Sequence, residues 1–413
     1  MNKLSFVISC PIDTYSGYGA RSRDIVKALV ELNKYEVKIL PQRWGNTPQG
    51  FINDHPEWKF LNDHITSSQL NKQPDIWAQV TVPNEFQAVG KYNIGITAGI
   101  ESTIANATWV EGCSRMNLVL GSSKHTINVL KNSKYQKRDN KTNQIIGKLE
   151  WNGMGKVLFE GANTEIYKPI KSNFNLDIKE NFAYLFCGHW INGIMGEDRK
   201  NVGLLIKAFY ETFKNKSKTP ALVLKTTIAG TSYMDRDTIL KRIDAIKKTV
   251  KANKLPNVYL LHGEFTDKEM NEIYNHPKIK TMVSLTKGEG FGRPLLEFSL
   301  TNKPIITTNW SGHIDFLNPE LTTLLPGTLT NIHPSAANNM LLKESQWFSV
   351  DTSHVGHYLK DMFENYKKYS VKGKRQGYQS RTNFSWDKMK ISLGEILDKN
   401  VPDFPKEVGL KLV

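Results

Sequence analysis

The run Ser284-Leu-Thr-Lys-Gly-Glu-Gly-Phe-Gly-Arg-Pro-Leu-Leu-Glu297 leaves this chain few ways to fold. Thr281–Leu285 is a short apolar run between polar residues, the pattern of a buried strand. Lys287–Gly292 is glycine-rich, and Pro294 suits a helix start, where no backbone N–H is needed. Leu295, Leu296, Phe298 and Leu300 then give that helix an apolar side. Strand, glycine loop and helix make a parallel α/β unit, and the start of its helix favours an anion. Two carboxylates belong to it, Glu289 in the loop and Glu297 on the helix. On one straight helix they would stand about 12 Å apart, but a loop that folds back before Pro294 brings both to one cleft. That combination suits a ligand with phosphates at its centre and hydroxyls at both ends, such as a nucleotide sugar. Gly288, Gly290 and Gly292 let backbone amides approach its sugar closely. The plain alternative is a βα unit with two surface glutamates.

The chain opens on a similar unit. Leu4–Ser9 reads as a strand, Gly17-x-Gly19 follows in a loop, and Ile25, Val26, Leu29, Val30 and Leu32 fall at helical spacing. The loop either receives phosphate or is a tight turn; Arg21 and Arg23 either touch phosphate or are solvated. Further short apolar runs alternate with amphipathic ones to the end, which predicts two doubly wound sheets. At 413 residues there is length for two domains. Pro41–Gln73 lacks periodicity and reads as an excursion from the first. A polar linker over Ile170–Asn181 marks the boundary, giving domains 1–170 and 171–385, with a final helix and tail, 386–413, crossing back to the first.

Three cysteines without CxxC spacing exclude a disulfide framework or structural zinc and suit a cytoplasmic protein. The first apolar run is too short for a signal peptide, and no run of about 18 apolar residues spans a membrane. A net charge of +15 points to a polyanionic partner, or only to solubility. Its densest stretch, Lys131–Lys156, holds seven basic residues against two acidic ones. Lys131, Lys134, Lys137 and Arg138 there are candidate contacts for a phosphate-bearing acceptor, against the alternative of a solvated hairpin. Asp235-Arg-Asp237 has the form of a metal-binding triplet but opens an amphipathic helix, so capping explains it and no metal is expected.

Glu289-Gly-Phe-Gly-Arg-Pro-Leu-Leu-Glu297 resembles the E-x7-E signature of retaining glycosyltransferases of the GT-B fold, especially family 4. Lys303–His313 resembles the strand and turn that follow it, and Gly17-x-Gly19 the loop over the donor diphosphate. Phe159–Pro169 resembles the family's hinge strand, and Phe384-Ser-Trp386 its closing helix. These matches keep the family's order over residues 4–397. The chain is also similar to glycosyltransferases of T-even-like and cyanobacterial phages.

The resemblance implies a GT-B enzyme moving sugar from a nucleotide-diphosphate sugar, UDP-linked by expectation, with retention and without metal or other cofactor. Lys200 falls on the family's diphosphate-binding lysine; His189 stands where an arginine is usual, so either His189 or Arg199 supplies the second contact. Gly263 and Phe265 correspond to the loop that reads the base. Glu289, Gly290, Phe291 and Gly292 would hold the sugar and Glu297 the ribose. The family's usual histidine after the strand Asn93–Ala98 is missing; Glu101 is the candidate acceptor-side base, or else a structural carboxylate. The favoured acceptor is 5-hydroxymethylcytosine in phage DNA, which would put the reaction in a host cytoplasm. The alternatives are a membrane-associated enzyme for lipopolysaccharide or glycolipid, and a nucleotide-sugar-binding protein without catalysis.

Overall fold

The computed structural model describes residues 3–66, 70–139, 141–191, 193–228 and 230–404. The first sheet is built from β1 (Leu4–Cys10), β2 (Tyr35–Pro41), β3 (Ile76–Val80), β4 (Tyr92–Thr97), β5 (Leu118–Gly121) and β8 (Met154–Val157), in the order β2-β1-β3-β4-β5-β8. Helices α1 (Gly17–Leu32), α3 (Ala107–Ser114) and α4 (Lys124–Asn132) accompany it. The excursion after β2 carries a short helix, α2 (Phe51–Asp54), and a run of 3-10 turns over 56–64. A hairpin of β6 (Tyr135–Arg138) and β7 (Ile145–Leu149) follows α4, so the basic stretch is a hairpin as its spacing suggests.

The second sheet contains β9 (Ala183–His189), β10 (Ala221–Thr227), β11 (Val258–Leu261), β12 (Ile279–Ser284), β13 (Ile305–Thr308) and β14 (Thr323–Leu325). Its order is β11-β10-β9-β12-β13-β14, and all its pairings are parallel. Helices α5 (Val202–Phe213), α6 (Tyr233–Lys248), α7 (Asp267–Asn275) and α8 (Arg293–Ser299) connect its strands. A hairpin of β15 (Gly327–Asn331) and β16 (Gln346–Val350) is added, then α9 (Thr352–Glu364), α10 (Tyr366–Asn383) and α11 (Trp386–Asn400). Each sheet is doubly wound, and in such sheets ligands bind beyond the carboxyl ends of the strands, where the strand order reverses. In the second sheet that point lies between β9 and β12.

Helix α11 belongs in space to the first domain. Its Met389, Leu393 and Leu397 are buried with Ile25, Val26 and Leu29 of α1 in one core, and Lys34–Asp398 (2.6 Å) and Lys390–Glu31 (2.8 Å) pair across its edges. Residues 405–413 of the expected tail lie outside the described residues. Helix α10 has no apolar stripe in the sequence and goes unpredicted there. It packs through small residues instead: a Cβ at Gly373 would stand 2.7 Å from the Lys303 carbonyl carbon, and one at Gly377 2.8 Å from the Ser299 oxygen. Its backbone therefore lies directly on the end of α8. Among the described residues no helix is long and apolar enough to cross a membrane.

Because Leu393 is 2% exposed within the core that α11 shares with α1, Leu393→Ala should lower stability by about 2–5 kcal/mol. Urea denaturation followed by circular dichroism measures this; an unchanged midpoint would mean that α11 is not part of that core.

Candidate active site

The loop between β12 and α8 sits against the first domain. Gly290 is in the only form the contact allows: a Cβ there would lie 2.4 Å from the Ala98 carbonyl oxygen, beyond β4. Ser122, after β5, donates to that same Ala98 oxygen and to the Gly290 oxygen (3.1 Å). Gly292 ends the loop at φ +96°, a left-handed conformation that glycine adopts without strain, and begins α8. The Glu289 backbone is fixed on both sides, its N–H donating to Ser311 Oγ (2.9 Å) and its oxygen accepting from Gly312 N–H (2.9 Å).

This fixes the Glu289 side chain at the reversal point of the second sheet. Arg199 and Lys200 arrive from the segment between β9 and α5. Lys200 Nζ is 2.5 Å from Glu289 Oε1; Arg199 Nη1 is 3.2 Å from Glu289 Oε2 and 2.6 Å from the Gly288 oxygen. On its other edge Arg199 Nη2 is 3.6 Å from Glu101 Oε1 of the first domain. Four candidate residues distant in the sequence thus form one cluster spanning both domains. Burial alone would raise the Glu289 pKa, but Lys200 and Arg199 outweigh it and hold the carboxyl at about 2. Burial lowers the Lys200 pKa, Arg199 adds to that, and Glu289 opposes it. Burial would also lower the Arg199 pKa, yet Glu101 and Glu289 raise it overall.

His189 ends β9 with an exposed ring whose Nδ1 is 2.8 Å from Thr227 Oγ1. The cleft wall desolvates it, and Lys200, Lys225 and Arg199 further depress its pKa, so the ring is neutral near pH 7. Lys225, from β10, stands beside it with Nζ 5.7 Å from the centre of the Phe265 ring. Gly263, at φ +148°, begins the loop that carries Phe265.

Glu297 follows a different course. It is buried on α8, where Arg293 Nε donates to its Oε1 (2.9 Å) while Arg293 Nη1 donates to Asp24 Oδ2 on α1 (2.7 Å). Burial pushes its carboxyl up, Arg293 opposes, Asp267 and Asp24 add to the rise, and the pKa reaches about 7. Arg293 thus links the two domains through carboxylates. It stands inside the E-x7-E run, and sequence reasoning passed over it because the fixed positions of that run drew the attention.

Several expectations change. Phe291 is 3% exposed, with its ring 5.0 Å from Phe316 in the core, so only its backbone can face a sugar. Arg21 is fully buried, donating to the Leu158 and Phe159 carbonyls, and Arg23 donates to the Ile12 and Thr14 carbonyls. Neither reaches toward a phosphate; both fasten α1 to neighbouring turns. Gly17 is exposed at the start of α1, and Gly19 is buried there with its N–H bonded to Ser16 Oγ (2.9 Å). The triplet near 235 does cap a helix, but through Ser232 and Asp235, while Asp237 pairs with Arg236 (3.3 Å). Lys131, Lys134, Lys137 and Arg138 are exposed; Lys134 pairs with Glu150 (3.2 Å) and Arg138 donates to the Asn143 oxygen (3.1 Å). Lys131 lies in the last turn of α4, and the hairpin beyond it is fastened to the first domain through Tyr135, whose hydroxyl donates to the Ala105 oxygen. His125, just after the serines that begin α4, was missed as well. Its ring lies 4.7 Å from Trp310, and burial pushes its pKa down to about 4.

No protein-family model matches the chain, and no curated protein matches it by sequence. Solved structures do match its fold. A glycosyltransferase from Rickettsia africae ESF-5 has a TM-score of 0.65 at 13% identity, over 98% of this chain and 100% of that one. HepE of Anabaena, solved with UDP and glucose, has a TM-score of 0.59 at 13% identity, over 96% of this chain and 100% of that one. A trehalose-6-phosphate synthase studied for glycosyl transfer with retention has 0.57 at 11% identity, over 95% of this chain and 99% of that one. At such identities the likeness is one of fold: two Rossmann-like domains facing each other across a cleft, the GT-B arrangement.

Proposed function

We propose that this protein is a glycosyltransferase that moves a sugar from a UDP-sugar to a hydroxyl acceptor with retention at the anomeric carbon. The observation that carries the reading is the Glu289–Lys200–Arg199–Glu101 cluster at the reversal point of the second sheet. Shared fold with HepE, solved with UDP and glucose, supports the donor class, and shared fold with the trehalose-6-phosphate synthase supports retention. Residues 171–385 hold the donor, residues 1–170 receive the acceptor, and α11 returns to the first domain. Free thiols at Cys10, Cys113 and Cys187 fit a reducing cytoplasm.

The chemistry follows from charge. Two cations and two carboxylates neutralise each other in the cluster as it stands. A diphosphate carries more negative charge than the half-buried Glu101 and so attracts Lys200 and Arg199 more strongly than Glu101 does. Arg199 then turns to the diphosphate and steadies the charge that develops as the sugar leaves. Glu101 is released to accept the hydrogen bond of the acceptor hydroxyl. Glu289 and the Gly290 and Gly292 backbone hold the sugar, Gly17 and His189 line the diphosphate, Gly263 and Phe265 meet the base, and Glu297 takes the ribose; Gly19, its N–H bonded to Ser16, shapes the turn instead. Asp235 caps α6 and Asp237 pairs with Arg236, so neither is offered to a metal and the reaction is taken to run without one.

Glu289→Gln and Lys200→Ala should each cut turnover at least 100-fold, about 3 kcal/mol of barrier, with both proteins folded by circular dichroism. Normal turnover in either would remove that residue from the site. Glu297 gives a pH test. With its pKa about 7 it is protonated below and ionised above, and a carboxylate accepts ribose hydroxyls more strongly than the acid does. UDP-glucose affinity by calorimetry should therefore rise several-fold from pH 6 to pH 8, and Glu297→Gln should flatten the profile. A wild-type profile without slope would put the ribose elsewhere.

For the acceptor we propose 5-hydroxymethylcytosine in DNA. The support is the net charge of +15 and the exposed cations of the β6–β7 hairpin, which belongs to the first domain. A base acted on in duplex DNA must leave the stack. The exposed cations would contact phosphates on either side. Enzyme, a panel of nucleotide sugars and hydroxymethylcytosine-containing duplex should yield a glycosylated nucleoside by mass spectrometry, and duplex binding should weaken steeply between 50 and 200 mM salt. Transfer to lipopolysaccharide or glycolipid with none to DNA would assign the enzyme to membrane glycans instead.

A further inference from the structure

A second cavity, of about 370 Å³, opens beyond the carboxyl ends of β1 and β2, outside the donor cluster. It is large enough for a small molecule. Its walls come from the β1–α1 loop and from the excursion that follows β2. The excursion is fastened firmly to that loop. Asp13 Oδ2 accepts from Gly50 N–H (3.0 Å) and Oδ1 from Ile52 N–H (2.8 Å). Phe51 N–H donates to the Asp13 oxygen (3.1 Å) and Tyr15 N–H to the Pro48 oxygen (3.2 Å). The Arg23 guanidinium lies 3.4 Å from the centre of the Phe51 ring. So many independent ties hold the cavity in one shape.

Apart from Asp13, the polar side chains that line it face solvent: Arg43, Gln49, Asn53 and Asn62 are exposed and Gln42 half-buried. Among the described residues, Gln42, Arg43, Gln49, Asn53 and Asn62 converge on the cavity, and none of these side chains makes a hydrogen bond or ion pair. Four are amides, each with donors and an acceptor at its tip. Neighbouring hydroxyls on a ring ask for that pairing. The other ligand classes fit poorly. A lipid chain would find only Pro41, Ile52 and Ile65 as apolar lining. A phosphate would meet one cation, Arg43, opposed by the Asp13 carboxylate. A nucleobase would find no aromatic face among the lining residues, since Phe51 is covered by Arg23 and Trp44 stacks on Tyr18 at 4.0 Å.

We propose that this cavity is a saccharide site, holding a neutral sugar ring apart from the donor cluster. Tyr18 ties the excursion to the end of β4: its ring stacks on Trp44, and its hydroxyl accepts from Ala98 N–H (3.2 Å). The saccharide assignment needs only the cavity and its lining.

Saturation-transfer NMR on the full chain, with glucose, galactose, N-acetylglucosamine, maltose, deoxycytidine and UDP as separate probes, tests this. At least one saccharide should give a signal in wild type and in Glu289→Gln. The triple variant Gln49→Ala, Asn53→Ala, Asn62→Ala should bind that saccharide at least tenfold more weakly and UDP unchanged. A saccharide signal that survives in the triple variant, or deoxycytidine bound in the place of every saccharide, overturns the proposal. UDP binding with no saccharide bound overturns the cavity and leaves the donor reading intact. A saccharide bound with no UDP bound does the reverse.

Discussion

A carboxylate buried as deeply as Glu289 persists only if its surroundings supply the stabilisation that water would have given. Two cations do so here. At an effective dielectric of about 20, one unit charge about 4 Å away contributes about 4 kcal/mol, and Lys200 and Arg199 both lie within that distance of Glu289. Their joint effect exceeds the desolvation cost, which is why the group titrates near 2 and not above its ordinary value. The arrangement then dictates much else. The segment after β9 must turn back toward the β12 loop, and the Arg199 oxygen accepts from Lys287 N–H (2.7 Å) to hold that turn. The loop must carry glycines, because Ala98 and Glu101 of the other domain press on it. The charge cluster and the close interdomain contact at the β12–α8 loop are in this sense one feature.

Arg293 makes a second junction between the domains by other means. It spreads one guanidinium over Asp24 and Glu297, with five donors in a fixed fork to satisfy them. One cation between two buried carboxylates leaves an excess of negative charge, and Glu160 stands near enough to be felt. Glu297 is the group that yields, its pKa raised to about 7 while Glu289 sits at about 2. The two carboxylates of one short loop–helix unit therefore have opposite protonation behaviour, set by two cations for one acid in the first case and one cation for two in the second.

The fold was largely legible because it rests on patterns that a sequence displays: short apolar runs, caps, and helices with an apolar side. Of the cluster, Glu289 stands in the glycine loop that those patterns locate, whereas Lys200, Arg199 and Glu101 are legible only through the resemblance, and their ion pairs join segments no local pattern connects. What escaped were residues used against type. Arg21 and Arg23 look like phosphate ligands beside a glycine loop, yet both are spent on backbone carbonyls inside the protein. Nothing local separates a buried arginine from a solvated one; the partners are 137 and 138 residues away for Arg21. Phe291 had to be assigned by position in a motif, and the core claimed its ring. Helix α10 lacks the stripe that marks a buried face because glycine, serine and glutamine are what allow it to lie so close to α8.

The excursion after β2 shows the same limit from the other side. Asn, Pro, His and aromatic residues without periodicity read as a loop of no consequence. In space its backbone amides converge on one carboxylate, Asp13, and its aromatic rings are each taken up by a neighbour: Phe51 by Arg23 and His55, Trp44 by Tyr18, Tyr15 by Phe51. The excursion is thus tied, by side chains and by the Phe51–Asp13 and Tyr15–Pro48 backbone bonds, to the β1–α1 loop and to Arg23 and Tyr18 of α1. Asp13 both anchors the excursion and lines the cavity beneath it, so the fold of that segment and the shape of the cavity depend on one carboxylate.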